Sequence, residues 1–141
     1  MKLEFLPALE SDIPVIYGQA KLLIDTYEDV DSIDYEKVLS WIKGKIEKDI
    51  SSYCCVVREG ERSAYYRLCA DGELDDLYVL PGFQNRGIGT KILEKCIAES
   101  TNPLYLYVFT RNIRAISFYE RFGFRIREKI GKTRMIMERK G

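Results

Sequence analysis

The sequence predicts an α+β fold: a mixed, mostly antiparallel twisted sheet flanked by about four helices. Three observations predict it. Apolar periodicity switches along the chain in the order strand, two helices, three strands, helix, strand, helix, two strands. Asp71-Gly72 is a strong hairpin signal between two β-rich runs. The apolar run Leu77-Tyr78-Val79-Leu80 ends at Pro81-Gly82 and passes through a glycine-bearing turn straight into an amphipathic helix. A chain of 141 residues fits a single domain, residues 1–141, built around one core.

Each element has a local reason. Lys2 to Leu6 alternates and reads as an edge strand. Ser11 is placed to cap a helix, with Pro14 tolerated in its first turn. Ile13, Ile16, Ala20, Leu23, Ile24 and Tyr27 then make one apolar stripe, broken by the acidic stretch Glu28 to Ser32. A second helix is expected from about Asp34 to Lys48, with Tyr35, Val38, Leu39, Ile42 and Ile46 inward. Trp41 is offset from that stripe, and either packs at the helix flank or lines a pocket. Ser51 to Arg58, Glu61 to Cys69 and Glu73 to Leu80 form three antiparallel strands. After the glycine turn, Ile88, Ile92, Leu93, Cys96 and Ile97 share a helical face. Leu104 to Phe109 is almost continuously apolar, which predicts a strand covered on both faces. Asn112 is a good helix cap, and Ala115, Phe118, Tyr119 and Phe122 lie on one face of the helix it opens. Gly123 can close that helix in the left-handed conformation. Phe124 to Glu128 and Thr133 to Glu138 are the last two strands, and their many Arg and Lys residues read as a solvated face or a docking surface.

Composition narrows the function. Lys plus Arg equals Asp plus Glu, 22 each, which argues against a generic nucleic-acid binder. No apolar run approaches the ~20 residues of a membrane span, and Met1-Lys2-Leu3-Glu4 lacks a signal-peptide core. A cytoplasmic setting is expected, with Cys54, Cys55, Cys69 and Cys96 as buried thiols. The cysteines show no metal-ligand spacing, and no metal is expected. The chain has no histidine, so acid–base chemistry falls to carboxylate, tyrosine, cysteine, lysine or water.

The turn Gln84-Asn85-Arg86-Gly87-Ile88-Gly89, continuing into Thr90, has a physical use. The first N–H groups of a helix lack intrahelical partners and carry roughly half a positive charge. Glycines let an anion approach those groups, Arg86 adds a full charge and Gln84 adds amide donors. A phosphate or pyrophosphate is the natural ligand. A Walker loop is excluded because Thr90-Lys91 follows Gly89, and a dinucleotide fingerprint because its third glycine position is Ile92.

Gln84-x-x-Gly87-x-Gly89, after Leu77-Tyr78-Val79 and Pro81, resembles the coenzyme A pyrophosphate loop of the GNAT acetyltransferases. Asn112-x-x-Ala115-x-x-Phe118-Tyr119-x-x-x-Gly123-Phe124 is similar to the C-terminal pattern of that family, and the element order resembles its fold end to end. The resemblance implies acetyl-CoA as cosubstrate. It implies coenzyme contacts at Leu77, Tyr78, Val79, Gln84, Asn85, Arg86, Gly87, Ile88, Gly89, Thr90, Asn112 and Tyr119, those at Leu77 and Val79 through the backbone. It also implies that Tyr119 lies near the thioester sulfur as general acid, although its spacing alone is that of a core residue.

Direct attack by an amine on the thioester is then the expected reaction, with Val79 N–H as candidate donor to the developing oxyanion. Glu73 is the first choice for general base; an exposed hairpin carboxylate is the competing reading. Asp75 and Asp76 share its strand, and simple alternation puts Glu73 and Asp75 on the face of Leu77 and Val79, with Asp76 opposite. Tyr65, Tyr66 and Tyr78 either line the acceptor pocket or pack in the sheet. The acceptor is a small-molecule amine or a protein amine, and the acidic stretch Glu28 to Asp34 favours a cationic one or is simply solvated. The chain is expected to be a monomer or homodimer. A coenzyme A-binding regulatory domain without transferase activity is the alternative.

Overall fold

In the computed structural model, which describes residues 1–141, the elements are β1 (Leu3–Pro7), α1 (Ile13–Tyr27), α2 (Tyr35–Asp49), β2 (Cys54–Arg58), β3 (Glu61–Leu68), β4 (Leu74–Val79), α3 (Ile88–Glu99), β5 (Leu104–Phe109), α4 (Ile113–Arg121), β6 (Arg125–Ile130) and β7 (Arg134–Arg139). The α+β class and the four helices are as predicted. Short 3-10 turns at 10–12, 30–32 and 50–52 join the early elements.

The strands form two antiparallel sheets, β1-β2-β3-β4 and β5-β7-β6. Strands β4 and β5 are edge strands that run parallel and touch at one bridge, Glu73 with Tyr105. There the Tyr105 N–H donates to the Gly72 carbonyl at 3.1 Å. No other bridge joins the sheets, so the two strands part like the arms of a V.

Alternation along β2, β3 and β4 divides the core in two. Val56, Ala64, Tyr66 and Leu74 join α3, α4 and the second sheet. Cys55, Val57, Tyr65 and Tyr78 pack under α1 and α2 with Ile16, Ala20 and Ile46. Asp12, 2% exposed, fastens the start of α1 to β3. Its carboxylate accepts from Arg62 Nε (2.7 Å) and Nη2 (2.6 Å), from the Tyr65 hydroxyl (2.5 Å) and from the Leu9 N–H (2.7 Å). Burial opposes its ionisation, but the Arg62, Tyr65 and Leu9 donors outweigh that and hold its carboxyl below the usual aspartate range.

Four expectations need correction. Ser11 does not cap α1; it lies in the 3-10 turn, and Asp12 takes the cap position with its side chain committed to Arg62 and Tyr65. Trp41 is 67% exposed and packs at no flank. β5 is fully buried on one face only: Leu104, Leu106 and Val108 are buried, while on the other face Tyr105 and Phe109 are half-buried, Phe109 stacked on Tyr27 of α1, and Tyr107 is 47% exposed. Finally, simple alternation fails on β4. The β3–β4 register slips so that Arg67 pairs with Asp76 but Leu68 pairs with Leu74. This bulge turns the Asp75 carboxylate to the α2 side, where it meets Lys45 Nζ at 2.5 Å and Arg67 Nη1 at 2.8 Å.

Candidate active site

The mouth of the V is built by two helix N-termini. β4 leads through the glycine turn into α3, and β5 leads directly into α4. Within the turn, Asn85 (φ 62°) and Gly87 (φ 81°) are left-handed, a conformation glycine adopts without strain and asparagine tolerates. Gly87 is the N-cap of α3 and has no side chain to satisfy the first turn. The first intrahelical bond runs from Lys91 N–H to the Gly87 carbonyl at 3.1 Å. The N–H groups of Ile88, Gly89 and Thr90 therefore project from the helix end without protein partners. Arg86 lies exposed beside them.

α4 differs at the same point. The Asn112 side chain accepts from the Ala115 N–H at 3.2 Å and closes that helix end. Asn85 is tied across the gap, accepting from Arg114 Nη2 at 2.5 Å. This pairing across 29 positions was not foreseen from the sequence; Arg114 joins Arg86 as a cation at the mouth.

The inner edge of β4 supplies backbone groups. Leu80 N–H donates to the Ser63 carbonyl at 2.9 Å, which fixes the phase of the ladder. Tyr78 therefore directs its backbone groups to β3, and Leu77 and Val79 direct theirs into the opening. The Val79 carbonyl accepts from Gln84 Nε2 at 3.0 Å. Gly89 sits where its added Cβ would touch Phe118 and Val79 at 3.5 and 3.7 Å, so α3, β4 and α4 converge here.

Tyr119, the next residue of α4 after Phe118, is buried in the core cluster that α3, α4 and the sheets share. Its ring packs on Phe118 and Phe124, centroids 5.3 and 5.5 Å apart. Its hydroxyl has no hydrogen-bond partner in the protein, and it is not sealed off: the one sealed side-chain nitrogen or oxygen without a partner is Arg58 Nε. Burial, then the Asp76 charge and Cys96, push its pKa well above the ordinary tyrosine value, so it stays protonated.

Glu73 lies at the closed end of the V, next to Asp75 and Lys45 rather than near Tyr119. Burial, and then the Asp75 charge, raise its carboxyl above the usual range. Cys69, Asp71 and Glu73 come within 4.8 Å of one another, though Asp71 already accepts from the Tyr105 hydroxyl (2.6 Å) and the Glu73 N–H (3.0 Å). Asp76 occupies a different setting, between the hydroxyls of Tyr53 and Tyr78. Tyr65 and Tyr66 are buried in the sheet faces.

Residues 17–124, well over half of the chain, match the acetyltransferase (GNAT) family. The chain belongs to this family. Among curated GNAT relatives, an uncharacterized N-acetyltransferase of Methanocaldococcus jannaschii is 36% identical over 69 residues, covering 45% of this chain and 30% of that protein. The spermine/spermidine N(1)-acetyltransferase of Bacillus subtilis is 32% identical over 73 residues, covering 46% and 48%. The matched segment thus spans less than half of the length of these relatives. Among solved GNAT structures, the PaiA N-acetyltransferase of Thermoplasma acidophilum in complex with coenzyme A matches the whole of both chains, with TM-score 0.71 and 21% identity. Arabidopsis thaliana Naa50 with a bisubstrate analogue also matches over both full lengths, with TM-score 0.65 and 18% identity. These two likenesses establish the GNAT fold.

Proposed function

We propose that this GNAT protein is an N-acetyltransferase that moves the acetyl group of acetyl-CoA to a primary amine by direct attack in a ternary complex. The observation that carries the reading is the uncapped N-terminus of α3 at the mouth of the V. Three unpartnered N–H groups, a helix dipole and Arg86 make a pyrophosphate cradle there. The backbone of Leu77 and Val79 then lies where the pantetheine arm would extend a β-strand into the opening, with Gln84, Asn85 and Asn112 at its rim. No helix is long and apolar enough to cross a membrane, and residues 1–141 act as one cytoplasmic domain in this reading. A small amine, as in the Bacillus relative, or a peptide amine fits as acceptor.

The chain's residues supply what the reaction needs. A free amine with pKa ~10.4 is neutral in about one molecule in a few thousand at pH 7, a cost of roughly 4–5 kcal/mol that a nearby base offsets. The Val79 N–H, facing the opening, donates to the developing oxyanion. Tyr119, protonated and without a competing partner, donates to the leaving thiolate. Holding both substrates in line contributes most, ~7–11 kcal/mol in well-oriented systems.

Thiol release from acetyl-CoA, measured over a panel of polyamines, amino acids and short peptides, tests this reading. Turnover of at least one amine is expected. In Tyr119→Phe, kcat is expected to fall about 10²-fold, with acetyl-CoA affinity within about threefold of wild type, because only the proton donor is lost. Tight coenzyme binding without turnover of any amine would instead mark a regulatory domain. An unchanged kcat in Tyr119→Phe would return Tyr119 to the core.

A further inference from the structure

The arginines of the second sheet differ in what they hold. Arg127 is committed: its Nη1 lies 3.0 Å from a Glu138 carboxylate oxygen, and its guanidinium sits over the Tyr105 ring, 5.2 Å from the centroid. Arg125 donates to the Glu120 and Phe124 carbonyls, and Arg139 to the Phe122 carbonyl. Arg134 has neither a carboxylate nor a carbonyl. Its guanidinium rests over the ring of Tyr107, 5.9 Å from the centroid, and both side chains are exposed. A guanidinium laid on an aromatic face keeps its planar fork of donors free for an incoming acceptor.

The register places this fork at the mouth of the V. Arg134 is the cross-strand partner of Phe109. Phe109 stacks on Tyr27 of α1, centroids 6.2 Å apart, so Phe109, Tyr107 and Arg134 face the α1–α2 side of the sheet. Counted along the parallel pair from the bridge of Glu73 with Tyr105, Phe109 is level with Leu77. The α3 and α4 helices pack against the other side. With the coenzyme on the cradle at α3, the side of Arg134 is the one left open to the amine.

The facing wall has the opposite sign. Tyr27 is followed by Glu28, Asp29 and Asp31 in the connection to α2. None of the three pairs with a cation: Asp29 accepts from the Ser32 hydroxyl at 2.6 Å, and Glu28 accepts from the Asp29 N–H at 3.0 Å. The Tyr27–Phe109 stack thus brings an unpaired guanidinium and a run of unpaired carboxylates to one end of the V without joining them. A purely cationic acceptor would meet Arg134 as a like charge, and a purely anionic one would meet the acidic run. A molecule with an amine at one end and an acidic group at the other complements both.

Resting on the acetyl-transfer reading, we infer that the acceptor amine carries an acidic group, a carboxylate or a phosphate, and that Arg134 receives it. Arg134 is then a specificity-determining residue, binding two oxygens of that group through its fork. Tyr107 holds the plane of the guanidinium. The acidic run attracts the ammonium end, which leaves the amine directed to the thioester beside Val79.

The test measures kcat/KM for matched acceptors: β-alanine, γ-aminobutyrate and ε-aminocaproate, each beside its carboxamide and its phosphonate analogue, and short peptides that differ only by Asp or Asn after the N-terminal residue. Wild type is expected to prefer the best acid over its carboxamide by about tenfold or more, chiefly through KM. The preference should shrink as salt rises from about 0.01 to 0.5 M, because Arg134 is exposed. Carboxylate or phosphonate as the better substrate names the group. In Arg134→Gln the ratio of acid to carboxamide is expected to fall below about threefold, and in Arg134→Lys, which keeps the charge and loses the fork, to lie in between. Arg127→Gln, on the same face but committed to Glu138, should keep the wild-type ratio. A melt confirms that each variant is folded. A wild type that acetylates carboxamides or polyamines as fast as the acids, or a ratio that survives Arg134→Gln, overturns this inference and leaves acetyl transfer intact. Absence of wild-type turnover of any amine overturns both.

Discussion

Gly72→Ala is expected to lower stability by about 3 kcal/mol or more, and the melting temperature by roughly 10 °C. Gly72 is buried, with φ +99°, and a Cβ there would lie 2.2 Å from the Pro103 carbonyl oxygen. That oxygen is backbone and cannot step aside. The residue also accepts the Tyr105 N–H that joins the two sheets at the closed end of the V. Left-handed strain and a backbone clash therefore fall on the one seam between the halves. Gly18 and Gly44, inside α1 and α2 with nothing within 4 Å of an added Cβ, respond in the opposite direction. Alanine there should stabilise by about 0.4–1 kcal/mol. Thermal melts of the three variants check this, and a Gly72→Ala melt within about 2 °C of wild type would contradict it.

Gly89→Pro is expected to weaken acetyl-CoA binding by about 10–100-fold while the fold persists. Gly89 is the second residue of α3, where its N–H makes no intrahelical bond. Proline is tolerated in a first helical turn, and α1 carries Pro14 at the same place. The substitution thus removes one N–H donor from the cradle and puts a ring carbon there. A hydrogen bond to a charged acceptor is worth ~1.5–3 kcal/mol, which sets the expected range. Calorimetric titration checks it, with a melt to confirm folding. Wild-type affinity in a folded Gly89→Pro would place the coenzyme phosphates elsewhere.

What the sequence made legible was mostly local. Asn112 as a cap depends on residues three positions away. Gly123 in the left-handed region (φ +90°) depends on the helix it ends. The glycine turn and the start of α3 were readable for the same reason, and so was the order of elements. The side of the sheet to which Asp75 turns was not readable, because the bulge arises from how β4 registers on β3. Tyr107 looked buried because LYLYVF is apolar throughout; its exposure follows from how far the cover on that face extends, since α1 reaches Phe109 through Tyr27, and strand composition does not encode this. The Tyr53–Asp76–Tyr78 cluster joins residues 23 positions apart on different elements. An Asp-Asp pair within an otherwise apolar strand was the one signal that pointed to it.

The most direct test of the central claim is calorimetric titration of acetyl-CoA into the folded wild-type protein. The account predicts saturable binding of one acetyl-CoA per chain, with a dissociation constant below about 1 mM. A folded protein that binds no acetyl-CoA would contradict it, and the uncapped end of α3 would then be only the way this turn enters its helix.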